Sequence, residues 1–188
     1  MVKPVVAFGH PVLKAEAQEI EKGHKGLESL IDDMWETMYS AEGVGIAAPQ
    51  VGESIRMFVV DGTPFGEDDD RCNGFKRVMI NPVIFDASSD QSSMEEGCLS
   101  IPGIRESVSR PNKINVEYFN EDWELKEEHL TGIAARIVQH EYDHLDGILI
   151  TDHIPAVKRR LLHGKLRDIG LGKVSVDYRM RLPKGKVR

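Results

Sequence analysis

The 188-residue chain predicts an α+β domain with mostly antiparallel sheet. Three observations carry that prediction. Apolar residues recur at three- and four-residue spacing in separate stretches, as one face of a helix requires. Between the first two stretches lie short runs in which apolar and polar residues alternate, as in half-buried strands. The resulting order is a helix, several strands, a second helix and a basic third helix.

The first helix is expected from about Gly26 to Ser40, with Leu27, Leu30, Ile31, Met34, Trp35 and Met38 on its apolar face. Gly43-Val44-Gly45 stops it and opens a loop. Arg56–Asp61 and Arg77–Phe85 read as strands. The acidic segment Gly62–Gly74 between them reads as a surface loop, too polar to bury, with no assigned role. Ile104–Arg110 and Lys113–Phe119 read as a further pair of strands, broken at Arg110-Pro111-Asn112. After the turn Asn120-Glu121-Asp122, Glu124–Leu130 returns as another strand. Thr131 is expected to cap the second helix, which runs to about Leu145 and ends at Asp146-Gly147. Pro155 begins the third, reaching about Ile169, with Val157, Leu161, Leu162, Leu166 and Ile169 as its apolar side.

A chain of this length fits one domain and can bury a core without covalent staples. Two cysteines give no disulfide framework. Cys72, in its acidic, Gly-flanked loop, reads as a spare surface thiol. No apolar stretch reaches the roughly 18 residues of a membrane span. The N-terminus lacks the apolar run and cleavage site of a signal peptide, so the expected location is cytoplasmic. The net charge of −7 is uneven. Residues 156–188 hold 11 Lys plus Arg against Asp168 and Asp177, or 11 − 2 = +9, leaving −7 − 9 = −16 for the rest. Such a tail suits a polyanionic partner, or is simply a solvated helix face and terminus.

The strongest local signal is Gln139-His140-Glu141-Tyr142-Asp143-His144. On a helix, residues four apart share a face, so His140 and His144 can grip one ion. Glu141 is rotated about 100° from His140. It is poorly placed as a third ligand but well placed to take a proton from a water at the ion. A catalytic site of this kind needs a third protein ligand. Downstream, Asp146, Asp152, His153 and His163 do not stand in the extended metallopeptidase arrangement. Upstream, Cys98 in Glu95-Glu96-Gly97-Cys98-Leu99-Ser100 offers a thiolate; the same residue also suits a small buried position, and spacing alone leaves both open.

Three segments together, Gly43-Val-Gly-Ile-Ala-Ala-Pro-Gln50, Glu96-Gly-Cys-Leu-Ser100 and Gln139-His-Glu-Tyr-Asp-His144, resemble the signature motifs of the peptide deformylases, in order. Gly9-His-Pro-Val-Leu13 and the strand pattern resemble that family too, over about Val5 to Ile150. The resemblance implies mostly antiparallel sheets packed around a central helix carrying HExxH, with N-terminal and C-terminal helices. It implies removal of the formyl group from the N-terminal formyl-methionine of nascent chains, with release of formate. It implies one divalent ion on Cys98, His140 and His144: ferrous iron natively, with zinc, nickel or cobalt as substitutes. Glu141 becomes the acid/base, Gln50 and the Leu99 N–H the holders of the formyl oxygen, and Val44, Gly45 and Ile137 the substrate-binding residues. Residues 1–155 then form the catalytic metallohydrolase part, and 156–188 a basic C-terminal helix and tail of the same domain. The implied partners are nascent formyl-methionyl peptides and, through the tail, the ribosome, with no membrane.

Other readings stand beside these. Gln50 can instead cap local backbone. Arg105 or Arg110 can pair with Glu96 to fix the Cys98 loop, or either can be strand-surface charge. Arg136 stands one turn before His140, where an apolar pocket residue is expected; its stem can line the pocket while its head reaches solvent. The competing functions are an endopeptidase on His140, Glu141 and His144, and a non-enzymatic binding protein with a structural metal. The second lacks a fourth ligand and leaves Glu141 without a task.

Overall fold

The computed structural model describes residues 1–183. Its centre is a five-stranded antiparallel sheet of order β2-β3-β4-β7-β8: Gly45–Ala47, Met57–Asp61, Lys76–Ala87, Lys113–Phe119 and Leu125–Thr131. β3 shows why the sheet needs cover on both sides, since all five of its residues are buried. Met57 and Val59 face one way and meet Leu27, Ile31, Met34 and Met38 of α1 (Leu27–Ser40). Phe58 and Val60 face the other way and meet Ala134, Ala135, Ile137 and Val138 of α2 (Gly132–Leu145). The period of two thus feeds two apolar clusters from one strand. Each such side chain contributes about 1.5–3 kcal/mol when fully buried.

A separate antiparallel ribbon joins β5 (Gln91–Cys98) to β6 (Ile101–Pro111) through Leu99 and Ser100. Ile101, Ile104 and Val108 of β6 pack with Leu166 and Ile169 of α3 (Ala156–Gly170). Two short strands, β1 (Val5–Val6) and β9 (Met180–Arg181), pair in parallel beside them.

Several expectations change. Ile104–Arg110 and Lys113–Phe119 are strands but not a pair: β6 pairs with β5, and β7 with β4 and β8. The chain crosses at Pro111-Asn112 from ribbon to sheet. β5 itself escaped notice because Gln91-Ser-Ser-Met-Glu-Glu shows no apolar alternation. Val157 and Leu161 of α3 face solvent, 73% and 80% exposed, so the apolar docking of that helix runs through Leu162, Leu166 and Ile169.

The acidic loop is the largest correction. Far from being a bare surface loop, it folds into two turns of 3-10 helix, Thr63–Phe65 and Asp70–Cys72. Cys72 is no surface thiol: it is fully buried among Phe58, Phe75 and Ala134. Asp69 takes the capping role expected of Thr131. Its carboxylate accepts the Ile133 N–H at 3.1 Å, while Thr131 stands at the cap position without a capping bond and accepts from Arg71 at 2.8 Å. The loop therefore secures the start of α2. Asp69→Ala is expected to lower the unfolding free energy by about 1 kcal/mol, read from the midpoint of a urea titration at unchanged slope.

Candidate metal centre

α2 presents its polar side to the β5–β6 ribbon, and that contact builds the site. His140 and His144 lie one turn apart, ring centroids 5.1 Å from each other. Cys98 ends β5 at the ribbon turn and comes from the opposite side. Its Sγ stands 3.3 Å from His144 Nε2, and ligand atoms of Cys98, His140 and His144 all lie within 4.8 Å of one another. Cys98 is buried, as a small residue there would be, and its sulfur also lies within reach of both histidines.

The donors match an ion in chemistry as well as position. A thiolate and two imidazoles form a soft-to-borderline set suited to zinc or a first-row divalent metal. Burial and the neighbouring His140 hold His144 well below the usual imidazole range, in the neutral form a ligand needs. Burial also disfavours charge on His140, but its bonds to Cys98 and Glu96 outweigh that and hold its proton well above the usual range in the metal-free protein. His144 Nδ1 and Glu141 Oε2 are buried polar atoms without hydrogen-bond partners, which the interior of a protein seldom tolerates outside a working site.

Behind the donors lies a buried charge network. Glu96 accepts from His140 Nδ1 at 2.9 Å, from Arg110 Nε and Nη2 at 2.7 and 2.9 Å, and from Arg136 Nη1 at 3.0 Å. Of the two candidate arginines, Arg110 is the partner; Arg105, on the exposed side of β6, lines the cavity rim and donates to the Glu95 carbonyl at 3.2 Å. The strand alternation decides it, since Ile104, Glu106, Val108 and Arg110 point inward. Arg136 does not send its head to solvent. It donates to the Val108 and Ser92 carbonyls at 2.7 and 2.6 Å, tying α2 to the ribbon. Asp143, which sequence reading missed, accepts from Arg110 at 2.8 Å and meets His153 at 2.6 Å. Only its place beside His144 in the motif hinted at a role.

The donors open on a cavity of about 680 Å³. Val44, Gly45, Gln50, Leu99, Ile137, His140, Glu141 and Cys98 all line it, and His144 lies behind, 1% exposed. Gln50 makes the local backbone bond and also lines the cavity. Its Oε1 accepts the Ala47 N–H at 2.8 Å, a local backbone bond, and this turns Nε2 to within 3.5 Å of Cys98 Sγ and 3.3 Å of Ser100 Oγ. Gly45 has a steric reason of its own: a Cβ there would stand 2.5 Å from a Glu141 oxygen. The absence of a side chain at 45 leaves room for the carboxylate. Burial pushes the Glu141 carboxyl up to about 7 in the metal-free protein.

The Polypeptide deformylase family model matches residues 2–160. The chain belongs to the polypeptide deformylase family. The peptide deformylase of Christiangramia forsetii is 47% identical over 193 residues, covering 99% of this chain and 98% of that protein. That of Cytophaga hutchinsonii is 48% identical over 183 residues, covering 97% and 98%. The crystal structure of the deformylase from Ehrlichia chaffeensis superposes with a TM-score of 0.83 at 32% identity, covering 92% of this chain and 99% of that one. Deformylases are metal-dependent hydrolases, and the Cys98, His140 and His144 group can hold the metal.

The buried network makes a testable demand. Burial raises the Glu96 carboxyl, but the bonds from His140 and Arg110 prevail and hold it well below the usual carboxylate range. A carboxyl depressed on folding stabilises the native state above its unfolded value, about 4.3, and that stabilisation is lost as pH falls further. Glu96→Gln is expected to weaken metal binding by about 10–100-fold in chelator competition. Its metal-free form is expected to lose less stability than the wild type between pH 5 and about 3.

Proposed function

We propose that this chain hydrolyses the formamide of N-formyl-methionyl chain ends, with one divalent ion held by Cys98, His140 and His144 and with Glu141 carrying the proton. The observation that carries this reading is the convergence of the Cys98 sulfur, from β5, on the two histidines of α2, with Glu141 beside them in the same cavity. The ion, when bound, supplies Lewis acidity and lowers the pKa of water toward about 7.

The rest falls to the chain. Formamide hydrolysis passes through a tetrahedral oxyanion. The Gln50 Nε2, held by its bond to Ala47, and the Leu99 N–H are the assigned donors to that oxygen. One such donor is typically worth about 2.7–4 kcal/mol. Glu141, whose buried carboxyl sits near neutrality, takes the proton of the attacking water and returns it to the departing amine. Val44 and Ile137 line the wall assigned to the methionine side chain, and the Gly45 backbone is assigned to the substrate backbone. Products are formate and a free N-terminal methionine.

Ferrous iron is the proposed native ion, with zinc, nickel or cobalt able to replace it. A thiolate ligand makes the ferrous form oxygen-sensitive. α2 serves as the central helix of the fold, residues 1–155 as the catalytic part and 156–188 as a basic helix and tail of one domain. The proposed location is the cytoplasm, where formylated nascent chains arise. Among the described residues no helix is long and apolar enough to cross a membrane. Lys158, Arg159, Arg160 and Lys165 are exposed on α3 and give the ribosome a basic face; Lys184, Lys186 and Arg188 of the tail lie outside the described residues.

Two experiments test the proposal. Protein purified without oxygen and loaded with ferrous or nickel ion should release formate from a formyl-Met tripeptide, and Glu141→Gln should lose at least about a hundredfold in rate. No formate from a fully metal-loaded wild type would sink the reading. Replacing Arg159, Arg160 and Lys165 together by Glu should abolish cosedimentation with ribosomes at low salt and leave formate release intact. Unchanged cosedimentation would remove α3 as the docking face.

A further inference from the structure

The matched family region ends at residue 160, yet a later side chain reaches the cavity. After α3 the chain turns back. Val5 and Ala7 donate to the Arg179 and Arg181 carbonyls, each at 2.9 Å, and so hold β9 against β1. Two residues before β9, Tyr178 is set into the cavity wall, between the apolar cluster under α1 and the one under α3. Its phenol donates to the Leu99 carbonyl at 2.7 Å.

Leu99 and Ser100 are the two-residue turn directly after Cys98. The β5–β6 ladder closes this turn through the Cys98–Ile101 pair, after a register shift between Gly97 and Cys98, and bonds from outside the ribbon add to it. Phe8 N–H donates to the Ser100 carbonyl at 2.9 Å, and Gln50 Nε2 reaches Ser100 Oγ at 3.3 Å. Both of these hold Ser100. Tyr178 alone among these three holds Leu99, the residue whose N–H is assigned to the formyl oxygen. A donor fixed before the reaction needs no reorganisation as charge develops, whereas a rocking one is only intermittently aimed.

We propose that Tyr178 is a positioning residue for hydrolysis: its bond to the Leu99 carbonyl fixes the Leu99–Ser100 peptide plane and so, through the Leu99 Cα, restrains the adjoining Cys98–Leu99 plane that carries the Leu99 N–H toward the formyl oxygen. The inference rests on the deformylase reading and on the role given there to Leu99. An N–H that strengthens its bond as the oxyanion forms acts on kcat more than on KM. Tyr178 thus serves the reaction without touching the substrate's reacting atoms.

Tyr178→Phe removes the hydroxyl and keeps the ring, so packing is preserved. Zinc-loaded wild type and variant would be compared by kcat and KM on a formyl-Met tripeptide, by metal content after dialysis, and by backbone order parameters from nitrogen relaxation. The expected result is a kcat lower by about tenfold, the scale of one hydrogen bond. KM and bound metal should be unchanged, and the order parameter at Leu99 lower. An unchanged kcat and order parameter would overturn the inference. So would a loss of kcat that tracks loss of metal, which would assign Tyr178 to holding Cys98. A wild type that releases no formate would count against the deformylase reading and the positioning claim with it, whereas an active wild type with an equally active variant would count against the positioning claim alone.

Discussion

The buried carboxylate of Glu96 is the contact on which the rest of the site depends. It stands on β5, two residues before Cys98, and receives hydrogen bonds from His140 and Arg136 of α2 and from Arg110 of β6. One side chain thereby joins three elements and sets the ring orientation of His140, one of the three groups that could hold a metal. Isolated, a carboxylate so placed would be driven to its neutral form; paired with two guanidinium groups it stays ionised. Breaking such a buried arrangement by removing one partner typically costs about 3–5 kcal/mol. The bond to His140 Nδ1 also leaves Nε2 as the nitrogen free for an ion, the usual arrangement around a ligating imidazole.

The sheet supplies the rigidity behind this arrangement. β3 buries both faces, so α1 and α2 are held at fixed distance across it. β2, at the sheet's edge, carries Gly45 to the place where only a residue without a side chain leaves space for Glu141. The 3-10 turn that follows, residues 48–51, then aims Gln50 at the Cys98 sulfur and at Ser100. Sheet, turn and ribbon meet at one point because each is fixed to α2 or to its neighbour by buried contacts rather than by loop geometry.

Much of this was legible in the sequence, and the limits have physical causes. Helices with a clear apolar stripe were readable to within a residue or two, as α1 shows. His140 and His144 were readable because a helix converts spacing of four into proximity. Cys98 could be suggested but not placed, because ligands from different elements meet only through tertiary structure. β5 was invisible because Gln91–Glu95 are exposed on both sides of the strand, so no apolar alternation marks it. Arg136 broke the expected apolar pattern for a tertiary reason: its partners, Glu96 and the Val108 carbonyl, lie 40 and 28 residues away in sequence. The acidic loop read as solvent-exposed by composition, yet Asp69 is buried against the first turn of α2. Composition describes a segment on average, whereas capping needs only one of its residues.

The central claim is that one thiolate from the ribbon and two imidazoles from α2 hold a single ion. X-ray absorption at the zinc edge of the fully loaded protein tests it most directly. The account predicts one sulfur at about 2.3 Å and two imidazole nitrogens at about 2.0–2.1 Å, with the sulfur lost in Cys98→Ala. A first shell of nitrogen and oxygen only, unchanged by that substitution, would contradict it.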